Sequence, residues 1–161
     1  MRFTGLGWVP LVLGISACSG GLNPEMVPVE AKISGTVWFR GTWPPADSVR
    51  DLRVVAFQTY PPTNVLEEVL AGRAVFSERL PIAVQSSPYE LTIPRPPVVL
   101  RYIVVAQQYG PDLFRHWRVV GVYTRDTLTY RPESLAVETG GVYPGVDIHV
   151  NFDRLPPQPF E

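Results

Sequence analysis

Val146-Asp147-Ile148-His149-Val150-Asn151-Phe152-Asp153 alternates apolar and polar residues without a break. Successive side chains of a strand point to opposite faces, so Val146, Ile148, Val150 and Phe152 share one face and Asp147, His149, Asn151 and Asp153 the other. One-sided burial of this kind belongs to a sheet that rests one face on a core. Ala31 to Arg40 repeats the pattern: Ile33, Gly35, Val37 and Phe39 alternate with Lys32, Ser34, Thr36 and Trp38. Between these two ends lie further β-branched and aromatic runs at Leu52 to Tyr60, Arg79 to Gln85, Tyr89 to Ile93, Val98 to Gln108, Arg115 to Thr124 and Leu135 to Thr139. Each run is bounded by turn residues. Eight such strands predict an all-β domain over residues 31–154, built as a single antiparallel β-sandwich.

Proline supports this division. There are 18 prolines in 161 residues, against the usual ~5%. The doublets Pro44-Pro45, Pro61-Pro62, Pro96-Pro97 and Pro156-Pro157 lie between apolar runs and not inside them. Proline has no N–H for a ladder, so it punctuates strands. Helix is scarce. One short helix is predicted over Val65 to Ala71, with Asn64 as its cap, Glu67 three residues on and Gly72 at its end. Leu155 to Glu161 is a proline-rich, extended tail.

The chain's only cysteine follows an apolar stretch, Leu11-Val12-Leu13-Gly14-Ile15-Ser16-Ala17-Cys18. The stretch is too short for a bilayer, which takes about 20 apolar residues, and suits a secretory leader. Ile15-Ser16-Ala17-Cys18 resembles the lipobox of bacterial lipoproteins. That resemblance implies a signal peptide over residues 1–17, acyl chains on Cys18 and a membrane anchor. Several chains on one cysteine hold a bilayer stably where a single chain would be marginal. Residues 18–30 would then be the anchor and a flexible tether. Ser19 and Gly20 follow the cysteine with no Asp, which by the same resemblance implies the outer membrane, facing periplasm or cell surface. An ordinary cleaved signal is the alternative.

Loss of the leader would remove only Arg2, leaving 13 Lys and Arg against 15 Asp and Glu. This near balance carries no basic stripe for nucleic acid. With one cysteine there is no disulfide within the chain, so packing must supply the stability.

Ile33-Ser34-Gly35-Thr36-Val37, a loop, and Leu52-Arg53-Val54-Val55-Ala56-Phe57 resemble the opening of transthyretin-like (prealbumin-like) domains. The carboxypeptidase regulatory-like group belongs among these. Tyr89-Glu90-Leu91, Tyr102-Ile103-Val104-Val105-Ala106 and Gly145-Val146-Asp147-Ile148 resemble their later strands. An immunoglobulin-like sandwich is the alternative fold. The enzymes of the transthyretin-like class are hydroxyisourate hydrolases, with a His-rich site and a closing Tyr-Arg-Gly-Ser. This chain has two histidines and closes on Gln158-Pro159-Phe160-Glu161, so that branch is not expected.

Residues with chemistry remain. Asp147 and His149, two apart on one strand, are weak candidate metal ligands if a neighbouring strand completes the set; the solvated face of an antiparallel sheet is the favoured reading, since one-sided burial predicts the same pattern. His116 has Ser77 and Ser134 as distant partners for a nucleophile–base pair, and Glu67-Glu68 diverge on a helix. No phosphate loop is present, since Gly140-Gly141 opens no helix. The aromatics are the stronger lead. Trp43 lies in a proline-stiffened loop, Trp117 beside His116, and Tyr109, Tyr123 and Tyr130 near loop ends; Trp38 falls on the polar parity of its strand. Exposed Trp and Tyr stack on sugars or anchor protein partners; the alternative is that Trp38 packs under a loop and Trp43 plugs one end of the core. Trp43, Trp117 and Tyr109 are the expected ligand- or partner-binding residues of a non-catalytic envelope module, with no cofactor. A structural spacer or assembly factor and a metal-assisted hydrolase are the alternatives.

Overall fold

The computed structural model describes residues 29–159. Cys18, the expected signal peptide and most of the expected tether lie outside them. Ten strands form around one short helix: β1 Ala31–Arg40, β2 Asp51–Phe57, α1 Val65–Leu70, β3 Ala74–Phe76, β4 Ser86–Ile93, β5 Val98–Leu100, β6 Tyr102–Gln108, β7 Trp117–Val122, β8 Leu135–Val137, β9 Val142–Tyr143 and β10 Ile148–Asn151. The protein is therefore mostly β, as its alternations predict. No helix among the described residues is long and apolar enough to cross a membrane.

The main sheet runs β3-β2-β6-β7-β10-β1-β4, with β9 beside β1; β5 and β8 form a separate pair. The sheet is mixed, where antiparallel pairing throughout is the expectation from sequence. β1 pairs in parallel with β10 from Val37↔Ile148 to Arg40↔Asn151, and in parallel with β9. The sheet curls. Ile33, Val37, Leu91, Ile148 and Val150 of one limb share a core with Leu52, Val54, Ile103, Val105 and Val120 of the other, and the end strands β3 and β4 come into contact. Polar residues of β1 and β10 stand outside, and the parity is as expected: Ile148 and Val150 are buried, Asp147 and His149 exposed, and Trp38 is 44% exposed.

Several strand boundaries differ from expectation. Arg79 to Gln85 is a loop, because Pro81 offers no N–H and Ala83 takes φ 58°. Its Ile82 and Val84 still pack on the core. Val98 to Gln108 is two strands. Arg101 breaks the run and donates its N–H to the Phe57 carbonyl (2.8 Å), so β5 turns away to pair with β8. β3 and β9 have too few residues to show an alternation. Pro88 within β4 is tolerated since β4 is an edge.

Where β10 begins, its ladder with β1 is completed by side chains. Thr36 donates its N–H to Asp147 Oδ1 at 2.7 Å, and Tyr89 donates its hydroxyl to the Val146 carbonyl at 2.5 Å. Gly35 lies so close to Val146 that a β-carbon would strike that carbonyl. Overpacking against backbone has no side chain to displace, so Gly35→Ala is expected to cost about 3 kcal/mol, or roughly 10 °C of melting temperature at this size. A thermal melt unchanged from the parent would contradict the close approach.

The opposite face of β2, β6 and β7 is also covered. Val55, Phe57, Tyr102, Val104, Ala106 and Val119 form a second cluster beneath Val65 and Val69 of α1. Asn64 caps α1 by accepting the Glu67 N–H at 2.8 Å, and Gly72, at φ 70°, follows its end. Glu68 is buried, yet every oxygen has a partner: Arg73 donates to both (2.8 and 3.1 Å), Thr59 to one and the Thr63 N–H to the other. Arg73's hydrogen bond holds the Glu68 carboxyl below the usual carboxylate range, against the opposing effect of burial, and Thr59 and Thr63 add to it. A depressed folded-state value stabilises the fold above the unfolded pKa and is lost as pH falls through the folded one. Glu68→Gln should therefore flatten the decline of stability that sets in below about pH 5. Urea midpoints measured across that range test this, and parallel acid limbs in parent and variant would refute it.

Candidate functional site

The connection Tyr109–His116 between β6 and β7 is built by its own polar residues. Asp112 Oδ1 accepts the N–H groups of Phe114 (2.8 Å) and Arg115 (3.1 Å), the way short acidic side chains organise turns. The Phe114 bond, then the Arg115 bond and the nearby Arg115 charge, keep the Asp112 carboxyl below its ordinary range. His116 Nδ1 accepts the Asp112 N–H at 3.0 Å, which leaves the ring proton on Nε2 in the neutral form. The Tyr109 N–H donates to the His116 carbonyl and closes the loop. His116 thus has a scaffold role here. Ser77 does too: its hydroxyl accepts the Val54 N–H and donates to the Glu78 carbonyl.

This loop lifts Leu113 and Phe114 into solvent, each more than half exposed. Trp117 is half-buried, with Nε1 donating to the Leu113 carbonyl at 2.8 Å. Tyr109 is 41% exposed; its ring lies 5.3 Å from that of His116, and Arg118 Cζ lies 5.8 Å from its centroid. Arg118 thus rests over Tyr109.

The tail supplies a facing wall. β10 meets β7 only at His149↔Val122 and Val150↔Gly121, so Val119 lies beyond the ladder. There the Gln158 amide takes the place of a strand. Its Oε1 accepts the Val119 N–H at 2.8 Å and its Nε2 donates to the Val119 carbonyl at 2.9 Å. The pinned tail buries Pro156. Between loop and tail opens a cleft of about 430 Å3, lined by Tyr109, Arg115, Trp117 and Arg118 on one side and Leu155, Pro156 and Gln158 on the other. Trp117 also borders a hollow of about 200 Å3 whose other residues include Val65, Val69, Phe76 and Leu113. It is the common wall of both.

A buried relay reaches the same cleft. Gln107 is 0% exposed and shares the core-facing parity of Ile103 and Val105. Its Nε2 donates to the Ser48 carbonyl at 2.8 Å, and its Oε1 accepts Arg118 Nε–H at 3.0 Å. The guanidinium is thereby held from behind by a buried amide that is itself bonded to the Ser48 carbonyl.

The residues expected from sequence part company. Tyr109 and Trp117 share the cleft. Trp43 does not line it. Its half-buried ring packs against Phe39 (4.8 Å) and Phe152 (4.5 Å) and fills one end of the core. Asp147 accepts the Thr36 N–H, and His149, exposed, sits across the ladder from Trp38. No group of three metal-ligating side chains assembles among the described residues. Gln107 and Gln158 are the site residues that sequence reasoning did not single out. An amide on the buried parity of an apolar run was the one available signal.

Removing the Gln158 amide should free the Val119 backbone. Two hydrogen bonds near ~1 kcal/mol each predict that Gln158→Ala speeds exchange of the Val119 amide by roughly tenfold or more. Hydrogen exchange read residue by residue measures it, and unaltered protection at Val119 would refute the tail's role.

No protein-family model, curated protein or solved structure matches this chain, so the cleft is interpreted from its own residues.

Proposed function

We propose that this chain is a lipid-anchored cell-envelope module that binds a partner glycan or protein at the Tyr109–Trp117 cleft and does no chemistry on it. The observation that carries the reading is the cleft itself: an open, aromatic-walled hollow with two arginines, held by a self-bonded loop and a pinned tail. Rigid display of this sort lowers the ordering cost of binding. A transthyretin-like body suits that role, with its two curled limbs closed over one core.

Direction supports it as well. The chain enters the domain at Ala31, and β1 then runs ten residues toward the end that carries the cleft. At ~3.3 Å per residue that separates entry and cleft by roughly 30 Å. With Cys18 acylated at the outer membrane, the tether would hold one end of the domain and leave the cleft at the other. The spacer reading would use the edge strand β4 for pairing with a partner strand. Pro88, the third residue of β4, lacks the N–H that such pairing needs. Asp147, committed to Thr36, weakens the hydrolase reading.

Two measurements test the proposal together. Cys18→Ser should move the protein from the membrane fraction to the soluble envelope fraction. In the Cys18→Ser background, where no anchor contributes, Trp117→Ala should weaken sedimentation with isolated cell-wall material by roughly tenfold, with its melting curve kept cooperative. Trp43→Ala should instead lower thermal stability. Equal sedimentation of parent and Trp117→Ala would sink the cleft as the binding site.

A further inference from the structure

We infer that the cleft takes an acidic saccharide and seats its carboxylate on Arg118. This rests on the cleft being the binding site and names the chemistry of its ligand. An amide buried as completely as that of Gln107 is costly unless each polar atom is bonded. Its acceptor is devoted to Arg118 Nε–H. The nitrogens Nη1 and Nη2 of Arg118 have no hydrogen-bond partner among the described residues, and neither Arg115 nor Arg118 enters an ion pair there. Among the described residues, the cleft's lining holds no carboxylate. Asp112, the acidic group of the neighbouring loop, is already bonded to the Phe114 and Arg115 N–H groups. An oriented guanidinium with free paired donors matches a planar carboxylate in two-point contact.

The walls favour a sugar over a peptide. Tyr109 and Trp117 line the cleft and supply amphipathic aromatic surface for a pyranose, and Arg115 offers polar atoms at its rim. An acidic peptide would gain most by adding as a strand beside β7. That backbone position is occupied, since the Gln158 amide takes both the N–H and the carbonyl of Val119.

Calorimetric titration of the full chain in detergent tests this with oligogalacturonate, hyaluronan oligosaccharides, the carboxyl-reduced form of each, and polyglutamate. An acidic sugar should bind, and its reduced form should bind roughly tenfold or more weakly, as the loss of a charged hydrogen-bond pair requires. Arg118→Gln, whose side-chain N–H stands where Nε–H stood and can keep the bond to Gln107, should abolish that difference while circular dichroism stays as in the parent and melting stays cooperative; Arg118→Lys should restore only part of it. Trp117→Ala should weaken both forms. Equal affinity for acidic and reduced sugars overturns the carboxylate seat and leaves the cleft reading intact. Binding of polyglutamate alone overturns the saccharide. Binding of no probe, while cell-wall material still sediments in a Trp117-dependent way, overturns this inference only. If that sedimentation is lost as well, the cleft reading falls with it.

Discussion

The parallel pairing of β1 with β10 is the constraint on which the rest of this fold depends. It joins the first strand of the domain to the last, and Val37, Ile148 and Val150 meet there with no solvent contact. Three local features allow it: the missing side chain at Gly35, the Asp147 carboxylate that takes the Thr36 N–H, and the Tyr89 hydroxyl on the Val146 carbonyl. Closing the ends over 111 residues costs entropy that grows only slowly with length. The buried side chains of both limbs offset that cost. The seam also has a consequence at a distance. It ends β10 at Asn151, short of Val119 on β7, and delivers the tail to the place where β7 has unpaired backbone.

The cleft is therefore a product of how the sheet finishes. One wall is the β6–β7 connection, the other is the segment after β10, and neither encloses anything alone. Gln158 substitutes for both ladder hydrogen bonds of one residue, Val119, with one side chain. Gln107 does the complementary work inside, linking the loop at Ser48 to Arg118 across the core's edge. Both are uncharged amides with a donor and an acceptor, the property needed wherever a single side chain must satisfy two backbone or guanidinium partners.

Burial on both faces explains where the sequence was legible and where it was not. β1 and β10 have one wet face, so their alternation announced itself and their inner residues are those expected. The helix was legible from Asn64, Glu67 and Gly72, all three of which stand where capping chemistry puts them. β6 is covered by the core on one side and by α1 on the other, so its seven residues are buried without alternation. A continuous apolar run says nothing of where it bends, and the break at Arg101 went unseen. Arg79 to Gln85 carries the apolar residues of a strand but fills the core's edge as a loop, a distinction made by one proline and one left-handed alanine.

Among the aromatics, composition marked all of Trp43, Tyr109 and Trp117 without ranking them. Tertiary contacts rank them: Trp43 meets Phe39 and Phe152 and becomes core, while Tyr109 and Trp117 remain at a solvent-facing hollow. What the sequence determined by itself was the all-β character, the position of most strands and which face of each open strand turns inward, because these follow from periodicity within a few residues. Strand order, the parallel seam, the separate β5–β8 pair and the meeting of Arg118 with Gln107 and Gln158 were decided only by the tertiary structure. Hydrogen bonding between strands is the same for every sequence, so which strands meet is settled by packing across the whole core.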